Sequence, residues 1–307
     1  MSKQRLQSGM LNNSLAILEG TEPEPNNINF IWTADPSDVN LFTPKTAGSP
    51  KGSWYWLQDG VVINDKLYLF PLLMVDDPNG EVGFQFSIAG VTMVTMPISE
   101  EGPLIEEQKQ IDTPLYKPLE DGSGSIIFGA AILDTDELDD NYMYVYGYLD
   151  LVSGMKELVL ARVMPEKIDQ FEEWQYWNGD SWSSNIFDVA SLVKGVSPEL
   201  SVSYMKTGPY KDKYIAVYEK DTLSGYIAIS SADNPEGPFS EEILYYVPEA
   251  NNDDGIITYN AKAHPHLSNG DELLISYNVN STRPNGNTEN GDIYRPRWIK
   301  IRDISNK

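Results

Sequence analysis

The sequence predicts an all-β protein, a five-bladed β-propeller with a first blade incomplete at the N-terminus. Three observations carry that expectation. Short runs rich in Tyr, Val, Ile, Leu and Phe recur along the chain, bounded by Gly, Pro, Asn or Asp, which is strand punctuation. Helical periodicity is weak throughout. The runs group into four-stranded units that start at Asp59, Gly129, Glu199 and His264, spaced 70, 70 and 65 residues apart. Radial repetition of four-stranded sheets is the propeller architecture.

Ahead of Asp59 stand only two strand candidates, 10–18 and 28–32, so the first blade lacks its innermost strand. A four-bladed ring with an N-terminal arm is the competing arrangement. The second unit opens at Asp59-Gly60-Val61-Val62 and continues through 67–74 (LYLFPLLM) and 84–96. The third comprises 125–133, 142–150, 156–164 and 174–178. Between its last two strands, 165–174 has room for a turn or two of helix with Pro165 at the start. The fourth comprises 199–206, 213–220, 225–232 and 241–247. The last begins at Ala263-His264-Pro265 and continues through 272–278 and 297–302. The expectation is one domain over 1–307.

Composition narrows the function. A chain of 307 residues with 41% hydrophobic and 11% aromatic residues can bury a core without disulfides or a structural metal. It has no cysteine, which excludes thiol chemistry and CxxC zinc sites. Asp and Glu number 46 against 22 Lys and Arg, for a net charge of −24. That balance argues against a nucleic-acid partner, which selects a basic footprint, and against an anionic membrane surface. No apolar run has the length of a membrane span. The stretch 1–18 shows no apolar segment with a cleavage site. An exported protein would carry its signal outside this sequence.

The innermost strand of each blade lines a propeller's channel, so residues at unit starts are expected to gather at its mouth. Asp59 and Glu199 are the carboxylates at such positions. Glycoside hydrolysis needs two carboxyl groups, one a general acid and the other a nucleophile or a base for water. The competing readings are a turn-forming Asp-Gly at Asp59 and a buried, backbone-bonded carboxylate at Glu199. His264 and His266 form an HxH pattern that a strand places on one face. A metal site there lacks a third His or Cys, and a hydrogen bond from His264 to substrate is the preferred role. Trp56 is the tryptophan assigned to sugar stacking; Trp54, Trp174, Trp177, Trp182 and Trp298 are assigned to packing. Arg295 is a candidate for contacting substrate or a catalytic carboxylate, against a salt bridge to a neighbouring blade. The acidic run 134–140 (DTDELDD) lacks the Gly and terminal Glu of an EF-hand loop and reads as a solvated turn. No GxSxG elbow, P-loop or HExxH is present.

The segments YWLQDGVVINDKLYLF (55–70), MYVYGYLD (143–150), ELVLARVMPEKIDQFEEWQYWNGDSW (157–182), SPELSVSY (197–204), YIAISSADNPEGPF (226–239), AKAHPHLSNGDELLISYNVN (261–280) and YRPRW (294–298) are dispersed over nearly the whole chain. Together they resemble a bacterial family of secreted five-bladed propellers that includes endo-D-arabinanases. The wider relatives of that family are arabinanase, β-xylosidase and levansucrase-like glycosidases. The resemblance implies a secreted or cell-surface hydrolase of furanoside, arabinan-like polysaccharide, with an endo mode. No cofactor and no metal are expected, and the chain is expected to act as a monomer. The family usually carries a GDT-like strand before the segment that corresponds to Asn12-Asn13-Ser14-Leu15-Ala16-Ile17. No GDT occurs here, so the aspartate of that strand has no counterpart. Asn13 is taken as a substrate-binding candidate on the same segment. A non-catalytic carbohydrate-binding or interaction propeller is the alternative.

Overall fold

The structure, a computed structural model, describes residues 11–32, 40–81, 83–133, 141–251, 255–283 and 286–302. Among these the α-helix is limited to a single turn, Gly286–Glu289, and strands joined by turns and short 3-10 segments make up the rest. The chain divides into two compact units that meet in sequence at Lys117 and Pro118. The expected acidic turn at 134–140 lies outside the described residues.

In the first unit, β1 (Leu15–Leu18) and β2 (Ile28–Ile31) pair antiparallel with Leu15 opposite Ile31. These are the two strands expected ahead of Asp59; Met10 is outside the described residues. A second assembly contains β3 (Trp54–Trp56), β4 (Gly60–Ile63), β5 (Lys66–Leu69), β6 (Leu72–Asp76) and β7 (Phe86–Ser99). Its order is β3-β6-β7-β5-β4, with β8 (Gly102–Pro103) and β9 (Lys109–Asp112) also pairing with β7. The apolar run 67–74 is therefore two strands and not one. Pro71 has no N–H to give a ladder, and the chain breaks there. β5 then pairs with Val94–Pro97 of β7 and β6 with Phe86–Val91. The β4–β5 hairpin turns on Asn64 and Asp65, with φ of 49° and 57°, the backbone of a tight two-residue turn. Phe42, Tyr55, Val94 and Met96 are fully buried beneath this assembly with Leu41, Leu69 and Leu73.

After β10 (Tyr116–Pro118), the second unit lays down three antiparallel meanders in succession. The first runs β11 (Gly124–Leu133), β12 (Met143–Leu151), β13 (Lys156–Val163), β14 (Gln175–Trp177) and β15 (Trp182–Ser183), and β16 (Val193–Lys194) returns to pair with β13. Short 3-10 turns at Pro165–Lys167 and Phe171–Glu173 occupy the expected helical stretch. The second meander is β17 (Leu200–Tyr204), β18 (Tyr214–Glu219), β19 (Tyr226–Ala232) and β20 (Ile243–Tyr246), in that order. Four strands in an antiparallel meander are the pattern of a propeller blade. The third is β21 (Ile256–Ala263), β22 (Glu272–Ser281) and β23 (Pro296–Arg302).

The leading strands of the meanders touch in sequence, β11 against β17 and β17 against β21. Ala263 N–H donates to Ser201 Oγ at 2.8 Å across the last of these contacts. Met205, Ile215, Val217, Ile227 and Ile229 of the second meander bury against Ala261, Leu273, Ile275, Tyr277 and Val279 of the third. The even spacing read from the sequence is not kept. Leading strands begin at Gly124, Leu200 and Ile256, Gly129 lies inside β11, and His264 follows the end of β21. The sequence pattern gives no sign of β21, which breaks its ladder at Asn260, where φ is 58° and the register shifts between Tyr259 and Lys262.

Candidate functional site

Glu199 is placed by the Ser197-Pro198-Glu199 entry to β17. Ser197 is fully buried; its Oγ donates to Glu199 O at 2.6 Å and accepts from Glu219 N at 3.1 Å. That hydroxyl fixes the backbone from which the Glu199 side chain springs. Glu199 is partly buried, and loss of solvent pushes its carboxyl above the usual carboxylate range despite the opposing charges of Lys262 and Lys156. Desolvation penalises the charged form, and here it outweighs two cations. Two phenols share this electrostatic neighbourhood. Tyr148 on β12 is driven well up by burial, with Asp150 and Glu199 adding to it. Burial also raises Tyr259 on β21, assisted by Tyr294 and Glu199. The Tyr148 hydroxyl and Asn260 Oδ1 are buried polar atoms without a hydrogen-bond partner.

His264 follows β21 and precedes the 3-10 turn Pro265–Leu267. The HxH residues are thus separated by a turn and do not lie along a strand. Their rings meet edge-on with centroids 5.9 Å apart. His264 Nε2 is 2.7 Å from Ser276 Oγ, and its ring lies 5.2 Å from that of Trp298. Burial lowers its pKa to about 4, with help from His266 and Lys262. The imidazole is therefore neutral near neutrality, suited to a hydrogen bond and not to ionic attraction. Among the described residues no group of three or more His, Cys, Asp or Glu is arranged to hold a metal.

Arg295 is exposed and reaches Asp292 at 4.0 Å, an ion pair within its own turn. Arg297 is the more constrained cation. It donates to the carbonyls of Asp292 and Arg295 and lies 3.4 Å from Glu249. A cavity of about 420 Å³ beside it is lined by Glu249, Arg283, Glu289, Asp292 and Arg297; Glu199, His264 and Arg295 do not line it.

In the first unit, Asn13 is buried and engaged with backbone. Its Nδ2 donates to Phe42 O at 2.8 Å and Tyr55 O at 3.2 Å, and its Oδ1 accepts from Phe42 N at 2.7 Å. It thereby holds β3, the strand of Trp56. The Trp56 ring is partly exposed and packs edge-on against Phe86 at 4.5 Å, with Trp54 at 6.3 Å. Asp59, partly buried, accepts from Gly60 N at 2.9 Å through Oδ1, and its carbonyl accepts from Phe70 N at 3.3 Å. Glycine is required after it. A Cβ at Gly60 would stand 2.9 Å from Tyr68 O and closer still to the Leu69 side chain. Of the tryptophans assigned to packing, Trp174 is buried, while Trp298 is 40% exposed with His264 against it.

One residue of this neighbourhood has no sequence signal. Glu219 closes β18 in a run, YEKD, that reads as the surface end of a strand, yet it is fully buried. Its Oε1 accepts from Gly225 N at 2.9 Å and Thr258 Oγ1 at 2.8 Å, while Oε2 has no partner. Burial moves its pKa up to about 7, and the charge of Glu199 adds to the rise.

No curated protein matches the sequence. Among solved structures, the fold matches that of a Bacteroides ovatus protein provisionally described as a hydrolase. The TM-score is 0.68 at 18% identity, over 97% of this chain and 78% of that one. Lower similarity extends to a glycoside hydrolase family 43 arabinoxylan arabinofuranohydrolase from Bacillus subtilis in complex with cellotetraose. Its TM-score is 0.46 at 15% identity, over 84% of this chain and 49% of that one. It extends also to extracellular domains 1–2 of Drosophila Semaphorin 1a, with TM-score 0.45 at 12% identity, over 95% of this chain and 64% of that one. Residues 1–304 match the family described as a domain of unknown function (DUF5005), and the chain belongs to that family.

Proposed function

We propose that this protein is a carbohydrate-active glycoside hydrolase of furanoside, arabinan-like polysaccharide, with Glu199 and Asp59 as its carboxyl groups. The observation that carries the reading is Glu199. The residue is partly buried, its backbone is fixed through Ser197, and desolvation shifts its carboxyl toward the protonated form. That is the state of a general acid poised to protonate a leaving oxygen. Asp59 takes the second role, as nucleophile or as base for water. Its carboxylate is oriented by the Gly60 amide. Neutral His264 hydrogen-bonds a sugar hydroxyl, Trp56 stacks on a furanose, and exposed Arg295 contacts the substrate. Asn13 serves binding by holding β3. The reading includes five blades in one domain over 1–307, supported by the three successive meanders of the second unit. It also includes a secreted or cell-surface monomer, since its polymeric substrate is extracellular.

The test is reducing-end release from a panel of furanoside and pyranoside polysaccharides by wild type, Glu199→Gln and Asp59→Asn. Wild-type turnover on a furanoside, lost in both variants, supports the assignment. Turnover that survives Asp59→Asn removes Asp59 from the pair. Retained binding without turnover in wild type replaces the hydrolase with a carbohydrate-binding protein.

A further inference from the structure

We infer that Phe30 and Trp32 form a sugar-stacking platform, a second contact for a neutral polysaccharide chain on the outer face of the β1–β2 sheet. The inference rests on the carbohydrate reading above for the class of polymer, and it needs no turnover at Glu199. Of the seven tryptophans, Trp32 is the most exposed. Phe30 lies in β2 and Trp32 follows it directly, two residues on, so strand alternation sends both side chains to one face. Their ring centroids are 6.0 Å apart, with planes inclined by 40°.

The opposite face of the sheet is the one that packs. Leu15 and Ile31 reach the core formed by Phe42, Tyr55 and Val94. Ile17 approaches Gly102 so closely that a Cβ there would stand 2.6 Å from its side chain. The outer face has small neighbours instead. Ala16 is opposite Phe30 in the ladder and is exposed, as is Ser14. Neither is large enough to cover an aromatic ring, and Phe30 is 54% and Trp32 71% exposed. Aromatic rings normally supply buried area to a core; two left bare side by side mark a contact surface.

Area and charge select the partner. The two rings together offer roughly 200–300 Å², well below the about 800 Å² a side of a stable protein–protein interface. A second copy would also bring a net charge of −24 against the same charge. Nucleic-acid bases stack on exposed aromatics, but they come with phosphates that need a basic groove. The stretch 11–32 holds Glu19, Glu22 and Glu24 and no Lys or Arg. An anionic lipid surface is disfavoured on the same ground. A sugar ring meets both conditions. It is uncharged, it lays a face of C–H groups on a π surface, and it keeps its hydroxyls in water. The 40° between the rings matches a chain whose successive sugars are turned relative to one another.

The experiment is native affinity electrophoresis of the full chain through gels containing soluble arabinan, arabinoxylan or polygalacturonate, with wild type, Trp32→Ala, Phe30→Ala and Trp32→Tyr. Reducing-end release is measured on the same proteins. Arabinan or arabinoxylan should retard wild type. The apparent affinity should fall about 10-fold in Trp32→Ala, fall also in Phe30→Ala, and fall less in Trp32→Tyr, which keeps a ring. Polygalacturonate, a polyanion, should retard none of them. Thermal unfolding run alongside reports folding; if Trp32→Ala does not fold, Trp32→Tyr and Phe30→Ala decide. Equal retardation of wild type and variants overturns the platform and leaves the carbohydrate reading standing. Release of reducing ends with no retardation of wild type does the same. Neither retardation nor release overturns both. Retardation by polygalacturonate that Trp32→Ala abolishes overturns the assignment to a neutral polymer. A concentration-dependent dimer in sedimentation that Trp32→Ala abolishes gives the face to a second copy and overturns the inference.

Discussion

Glu199 is partly buried and Glu219 fully buried, and desolvation pushes both carboxyls up. Glu199→Gln should lower turnover by about 10²- to 10⁴-fold, the usual contribution of acid–base assistance, with KM within a few-fold of wild type in steady-state assays. Glu219 makes a stability prediction of opposite character. Its folded pKa of about 7 lies above the unfolded value, so the native state binds the extra proton between about 4.3 and 7. Stability therefore falls as pH rises through that window. Glu219→Gln removes the slope, and its stability relative to wild type should improve from pH 4.5 to pH 7.5 by at most about 3 kcal/mol, read by urea unfolding at both pH values. His264 has the reverse sign. Its folded pKa is near 4, below the unfolded value of about 6.5, so its contribution is complete above 6.5 and is lost on acidification to 4. His264→Gln should narrow its stability deficit over the same fall in pH. Glu199 was legible in sequence because it opens a strand in a recurring unit. Glu219 was not, since burial of a strand-end glutamate is decided by a neighbouring sheet that carries Thr258.

At the scale of elements, the hairpin at Asn64-Asp65 and the Asp-Gly at Asp59 follow from local chemistry and can be tested locally. Asp65 adopts φ of 57°, which costs a side chain energy that glycine does not incur. Asp65→Gly should stabilise the protein by about 0.5 kcal/mol after the entropy of the freer unfolded chain is counted. Gly60→Ala should destabilise it by about 1–3 kcal/mol, because a Cβ there overlaps Tyr68 O and Leu69. Asn13→Ala leaves the Phe42 amide and two carbonyls without their partner and should cost about 1–3 kcal/mol in denaturant unfolding. Most strands of the second unit were readable, since each is an apolar run closed by turn residues. Three features were not. Pro71 divides an apolar run whose composition is continuous; β3 has only three residues; and β21 carries Tyr, Asn and Lys through a bulge. His264 stands at the end of a leading strand and not at the start of a unit because the whole of β21 precedes it.

For the molecule as a whole, a net charge of −24 is a repulsive field that opposes compaction. Raising salt from about 0.01 to 0.15 M shortens the screening length from about 30 to 8 Å. The thermal midpoint should rise over that range, and an unchanged midpoint would mean that partly buried pairs such as Lys156 with Asp150 and Lys220 with Glu242 already offset the field. Among the described residues no helix is long and apolar enough to cross a membrane. The β class and the meander pattern were legible because they depend on turn chemistry and strand length. Equal spacing of units was not, because loop lengths are free to vary while strand pairing is not. The central proposal is that the burial-shifted carboxyl of Glu199 performs acid catalysis on a furanoside polymer. The most direct measurement is reducing-end release from arabinan-type polysaccharide by wild type and Glu199→Gln in parallel. Turnover is expected in wild type, with a loss of at least about 100-fold in the variant. Equal release by both proteins, or bound polymer with no release by either, would contradict it.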